Sequence, residues 1–314
     1  LSKILTLGEP LVVFASEDQD KDLVTAKHFQ KFLAGAELNV AVGLTRLGHQ
    51  VTYLTQVGND PFGQFIISAM QANQIDASNI KTIDTAWTGF ELKEQVSQGD
   101  PGVFYYRKNS AASQVTPEMI DALDLSEFDH IHLTGIFAGL SKTTLATAEY
   151  CLQKAKAAHI PVTFDPNLRP QLWQSEVEMK TILNRLCAQA EIVMPGIGEG
   201  QILMGSDDPE TIADYYLNEG VKMVIVKVGS KGAFIKDAAG HQDFVAGFKV
   251  KKVIDTVGAG DGFATGVVDG YLRKKPIAEI LRQGNAIGAM AVQHQGDSDG
   301  YPTAEALADF LQTN

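Results

Sequence analysis

Asp255-Thr256-Val257-Gly258-Ala259-Gly260-Asp261-Gly262-Phe263-Ala264-Thr265-Gly266 joins a run of small residues to the start of an apolar helical spacing at Phe263, Val267 and Tyr271. Small residues let backbone N–H groups approach a ligand closely, and a helix N-terminus adds partial positive charge. Together they suit a phosphate whose charge grows during transfer. Asp261 falls in the first helical turn, where a carboxylate beside a phosphoryl site can orient an attacking hydroxyl and take its proton. A glycine-rich helix start with Asp261 as a cap fits the same residues. GxxxxGK[ST] is absent, and neither Gly196-Ile197-Gly198 nor Gly258-Ala259-Gly260 continues to the third glycine of GxGxxG. A P-loop NTPase and a dinucleotide dehydrogenase are therefore disfavoured.

Upstream of this stretch, apolar β-type runs at 3–8, 51–57, 130–134, 162–165, 192–195 and 223–228 alternate with helical patterns at 61–73, 141–158 and 208–218. Strands separated by helices of this length predict βαβ crossovers, hence a doubly wound, mostly parallel α/β sheet with helices on both faces. Residues from about 10–33 and 86–108 break the rhythm with short alternating segments and no helix between them. They predict a small antiparallel β lid over a site. One domain spanning 1–314 with this excursion is the expected organisation.

The 314 residues carry a net charge of −12, with 45% hydrophobic and 20% charged residues, as in a globular protein with a substantial core. That charge argues against a nucleic-acid backbone partner, which needs clustered Lys and Arg, but leaves small anionic ligands open. No apolar run approaches the roughly 18 residues of a membrane span, and no secretory leader is visible. Cys151 and Cys187 stand alone in helical segments, as expected for reduced core thiols in a cytoplasmic protein.

The DTVGAGDGFATG stretch resembles the C-terminal signature of the ribokinase-like (phosphofructokinase-B) sugar kinases. Gly35-Ala36-Glu37-Leu38-Asn39-Val40-Ala41, followed by Gly48 and Gly58, is similar to that family's N-terminal signature. Glu37 departs from the small residue the broad family favours there. That departure, Gly8-Glu9-Pro10, Val103-Phe104-Tyr105-Tyr106-Arg107-Lys108, Asp165-Pro166-Asn167-Leu168-Arg169 and Gly296-Asp297 look like the members that phosphorylate a 2-dehydro-3-deoxy sugar acid. The resemblance implies a ribokinase-like fold, ATP and Mg2+ as cofactors, and transfer to a primary hydroxyl. It implies that Gly35, Ala36, Asn39 and Asp297 hold the substrate, with Phe90, Tyr105, Tyr106 and Arg107 closing from the lid. Arg169 would bridge the sugar acid and the moving phosphate, with Asp261 as base and Gly258, Ala259 and Gly260 as the anion cradle. Asn167, Lys227, Gly229, Ser230, Lys231, Gly232 and Asn285 would serve the nucleotide. Glu199 would organise magnesium, although Gly196 stands where the family has asparagine.

Residue chemistry also favours an acid substrate. Arg107 lies on the lid and Arg169 follows a strand end, where open α/β sheets place ligands, and the guanidinium fork matches a carboxylate or phosphate. A neutral-sugar kinase (fructose or ribose type), a nucleoside kinase and a non-catalytic metabolite-binding protein are the competing readings. Uncovered lid strands predict a homo-oligomer.

Overall fold

The protein is described by a computed structural model covering residues 1–314 other than Gln98 and Asp100. Strands β1 (Lys3–Leu7), β2 (Leu11–Ser16) and β3 (Phe29–Ala34) lead into helix α1 (Ala36–Arg46). Strand β4 (Gln50–Gly58), helix α2 (Pro61–Ala72) and strands β5 (Ile80–Ile83), β6 (Phe90–Lys93) and β7 (Val103–Tyr106) follow. After the short helix α3 (Glu118–Asp121) come β8 (His130–Thr134), α4 (Gly135–Gly139), α5 (Lys142–Ala157), β9 (Val162–Asp165) and α6 (Glu176–Cys187). The next elements are β10 (Ile192–Val193), α7 (Ile197–Met204), α8 (Pro209–Asn218), β11 (Met223–Lys227), β12 (Gly232–Asp237) and β13 (Gln242–Ala246). Helices α9 (Ala259–Leu272), α10 (Ile277–Ala291) and α11 (Ala304–Thr313) complete the chain.

Nine strands form the main sheet in the order β13-β12-β11-β10-β9-β8-β1-β4-β5, parallel except for the antiparallel edge pairs β11–β12 and β12–β13. Its strands are apolar on both faces because both are covered. Leu5, Leu54, Ile131, Leu133, Phe164 and Val224 pack into one core, and Ile4, Val51, Tyr53, Ile192 and Ile225 into another. Neighbours such as Ile4 and Leu5 go to opposite cores, as the period of two requires.

The second sheet runs β3-β2-β6-β7. Its outer pairs are antiparallel, and the middle pair, β2 with β6, is parallel.

All three expected helices form and begin at local caps. Asp60 accepts from the amides of Phe62 and Gly63 with Pro61 at the first helical position, Ser141 makes a capping box with Thr144, and Asp208 accepts from the amide of Thr211. The apolar run at 192–195 is strand only over Ile192–Val193. Cys151 and Cys187 are free and buried, and burial pushes the Cys151 thiol up to about 12.

Chain order reverses on either side of β1, which pairs with β4 on one edge and β8 on the other. Such a switch point opens a crevice beyond the strand C-termini. Glu9 just past β1, Asp165 at the end of β9 and Lys227 at the end of β11 converge there.

Candidate active site

Helix α9 starts at Ala259 with Gly258 as its cap, at φ 77. A Cβ at position 258 would lie 1.9 Å from the Asp297 carbonyl oxygen, so only glycine lets the turn sit against that segment. Tyr301 fixes it further, its hydroxyl donating to the Gly258 carbonyl at 2.5 Å. Gly260 is the opposite case, because a Cβ there would meet no atom of the described residues within 4 Å. The Ala259 amide leans on the Thr256 carbonyl at 3.4 Å, whereas among the described residues no acceptor takes the amides of Gly260 and Asp261. The turn thus leaves two backbone donors and an open space together.

Asp261 is held from the other end of the chain. Asn39, in the first turn of α1, donates its side-chain amide to Asp261 Oδ2 at 2.8 Å and lies 3.4 Å from Asp297 Oδ2. Burial, with the negative charges of Asp165 and Asp297, pushes the Asp261 carboxyl up to about 7 against the opposing pull of Asn39 and Arg169. Burial likewise raises Asp297 to about 6 and Glu91 to about 7. Three carboxyls poised near neutrality therefore share one cavity.

That cavity, about 350 Å³, is bounded by Gly35, Ala36 and Asn39 below and by Glu91, Tyr105 and Arg107 from the second sheet. Asn167, Arg169, Asp261 and Asp297 complete it. Arg107 is not a free cation, since its Nε donates to the buried Glu9 carboxylate at 2.6 Å and Ser110 donates to the same carboxylate. Arg169 reaches the cavity from a strained loop. Asn167 and Arg169 both take positive φ, 34° and 43°, and Trp173 ties the loop down by donating to the Leu168 carbonyl at 2.9 Å.

Phe90 and Tyr106 do not close over this cavity, contrary to their expected role. They are register partners on the opposite face of the lid sheet, their rings stacked 4.7 Å apart. Alternation along β6 and β7 sends Glu91 and Tyr105 inward and these two outward. Glu91 was not foreseen. It is 7% exposed, lines the cavity and has no hydrogen-bond partner among the described residues. The signal was present in the polar-apolar alternation of Phe90-Glu91-Leu92-Lys93.

A second cavity of about 340 Å³ lies across the cradle, walled by Phe248, Val250, Val253, Phe263, Ala289 and Val292. Its apolar slot suits a flat aromatic base. Gly229, Ser230, Gly232, Ala259 and Asn285 also line it, but Lys231 is exposed and lines neither cavity. The Asn285 side chain is already committed, donating to the Val245 carbonyl at 2.9 Å and so holding the end of β13 just before the wall that starts at Gly247. The apolar wall at 248–253 was also missed, because it is an irregular segment without periodicity.

Lys227, Thr256 and Gly260 line both cavities and mark their junction. Lys227 Nζ stands 2.6 Å from Asp165 Oδ2. Burial opposes its charge, but Asp165 and Glu199 hold its pKa above the usual lysine value. Glu199 accepts from the amides of Gly196 at 2.7 Å and Leu168 at 3.3 Å, making it a cap for α7. Among the described residues no group of three or more His, Cys, Asp and Glu is arranged to hold a metal ion, and no helix is long and apolar enough to cross a membrane.

A model of the pfkB family carbohydrate kinases matches residues 2–304. The chain is 42% identical to the 2-dehydro-3-deoxygluconokinase of Bacillus subtilis (strain 168) over 308 residues, 98% of this chain and 94% of that one. The crystal structure of a PfkB protein from Polaromonas sp. JS666 superposes with a TM-score of 0.90 at 40% identity, covering 98% of this chain and 99% of that one. An E. coli protein provisionally described as ribokinase II, solved in complex with ATP and Mg2+, gives a TM-score of 0.92 at 28% identity with both chains covered completely.

Proposed function

The chain belongs to the pfkB family of carbohydrate kinases, and from that premise we propose that it transfers the terminal phosphoryl group of ATP to the primary hydroxyl of a sugar acid. The substrate proposed is 2-dehydro-3-deoxy-D-gluconate and the product its 6-phosphate. One observation carries this reading: a carboxyl-poised cavity with two arginines meets an apolar cavity at a turn with two free amides. The two cavities together fit an acceptor and a nucleotide whose phosphates meet at Gly260.

In this reading Asp261, held by Asn39, orients the acceptor hydroxyl and accepts its proton as the new O–P bond forms. The leaving group is ADP, and no covalent enzyme intermediate is needed. The Gly260 and Asp261 amides receive the charge that grows on the phosphoryl oxygens, and Arg169 and Lys227 flank its path. Arg107 reads the substrate carboxylate, and the inner face of the lid excludes water. Magnesium supplies charge neutralisation to the nucleotide phosphates. Glu199, whose oxygens already accept two amides, would help to hold that ion beside the phosphates that carry most of its binding.

We further propose that the chain is one kinase domain over 1–314, working in the cytoplasm. A homo-oligomer would form through the lid strands, whose outer face exposes Phe104 (57%) and Tyr106 (45%).

A panel of sugar acids, neutral sugars and nucleosides with ATP, read as ADP release, tests this function. The 2-dehydro-3-deoxy sugar acid is expected to give the highest kcat/KM. Preference for fructose or ribose would move the chain to a neutral-sugar branch, and no release with any acceptor would end the kinase reading.

Acid sensitivity follows from Asp261. The base must be ionised, and burial raises its pKa to about 7, so kcat/KM should fall about tenfold per pH unit below that value and level off above it. A profile flat down to pH 5 would exclude Asp261 as the group that takes the proton.

A further inference from the structure

Two residues beyond Glu91 on the same inward face of β6, Lys93 reaches a part of the molecule distant in sequence. Its Nζ stands 2.6 Å from Asp255 Oδ2, with the two side chains 8% and 13% exposed. Asp255 opens the turn into α9. Its other oxygen, Oδ1, accepts from the Val257 amide at 3.1 Å, and the backbone just before it is anchored by the Ile254 amide donating to the Val292 carbonyl at 2.7 Å. One carboxylate therefore holds the cradle's own backbone with one oxygen and the lid's ammonium with the other.

Stability alone is a poor reason for such a pair. Burying two charges carries a desolvation cost that can exceed their attraction, and a well-packed apolar pair often does as well. The pair instead joins the two pieces of chain that close on the reacting atoms from opposite sides. A cavity of about 280 Å³ lies beside it, lined by Lys93, Asp255 and Asp297, so the ammonium is not walled in by packing. Lys93 also bears on the acceptor pocket, where its charge draws the Asp297 carboxyl down against the effect of burial.

We propose that Lys93 is a positioning residue for phosphoryl transfer: carried in by the lid strand, its ammonium sets Asp255 and, through it, the turn that presents the amides at the start of α9. The cradle then has its working shape only when β6 is in place. The idea rests on the kinase reading above for its chemistry, but the coupling itself is a property of the fold.

Lys93→Met removes the charge and keeps the length. Its kcat should fall about 10²-fold, the effect of a small misplacement of reacting groups, with a much smaller change in the KM for ATP. Methylammonium or ethylammonium at millimolar concentration should restore at least about tenfold of the loss by entering the adjoining cavity, a rescue that a merely structural lysine would not show. Lys93→Arg should retain most of the activity. Adding Asp255→Asn to Lys93→Met should cost little more, because the two act as one unit.

Hydrogen exchange gives a readout independent of turnover, with amides at 256–261 exchanging faster in Lys93→Met than in the unaltered protein. Unchanged kcat, a loss indifferent to added amine, or unaltered exchange at 256–261 would overturn the proposal. An unaltered protein inactive on the whole panel, yet showing the faster exchange in Lys93→Met, would sink the kinase reading and leave the coupling standing. If Lys93→Met does not fold, Lys93→Arg and the double variant carry the same comparison.

Discussion

Asp261→Asn should turn over about 10²–10⁴-fold more slowly than the unaltered protein, the range lost when a positioned base is removed. The replacement keeps the size and the polar contact, because an asparagine carbonyl can still accept from Asn39, whose amide stands 2.8 Å from Asp261 Oδ2. What disappears is the capacity to take a proton. ATP affinity should stay within about twofold, since the amides of Gly260 and Asp261 belong to the backbone and survive the change.

Folding offers a control with a definite sign. Burial raises the folded-state pKa of Asp261 to about 7, so its ionised form opposes folding above the pKa of an unfolded aspartate, and that cost is complete only above about pH 7. At pH 8 the asparagine variant should therefore melt no lower than the parent. Normal turnover by this variant would remove Asp261 from the chemistry. A large fall in melting temperature at pH 8 would mean that the carboxylate is a structural group.

Arg107→Ala should raise the KM for the sugar acid by about one to two orders of magnitude while the KM for ATP stays within about twofold. The asymmetry follows from place. Arg107 lines the acceptor cavity and not the apolar one across the cradle. Its substitution also carries a cost the ligand never sees. Glu9 is buried and takes the Arg107 guanidinium at 2.5 Å, so alanine leaves an unpaired carboxylate in the core. Breaking a buried pair from one side costs about 3–5 kcal/mol, which should appear as a lowered melting temperature.

Arg107→Lys separates the two effects. It retains a charge for Glu9 but loses the planar fork, so stability should recover more than sugar-acid affinity does. Equal loss of affinity for both ligands in Arg107→Ala would assign the arginine to the lid's integrity and not to the substrate carboxylate.

What the sequence determined by itself is local. The change from small residues to a helical period at 258–263 placed a glycine-rich turn and an acid at a helix start. The alternation of apolar runs with helical patterns determined a mostly parallel sheet, and the patterns at 61–73, 141–158 and 208–218 placed the helix starts to within a residue. Each of these is legible because its cause lies within a few neighbours: backbone geometry, periodicity or a cap.

The tertiary structure decided what depends on register and on distant partners. Pairing Phe90 with Tyr106 turned both outward and made Glu91 and Lys93 the inner residues of β6. Asn39 meets Asp261 and Asp297, Arg107 meets Glu9, and Lys93 meets Asp255 across sequence separations of 98 to 258 residues. A side chain's facing direction in a strand flips with each single-residue shift of register, and the partner of a buried charge is chosen by the fold. Periodicity within one segment holds neither quantity, so they arise only when the two sheets close over the cradle.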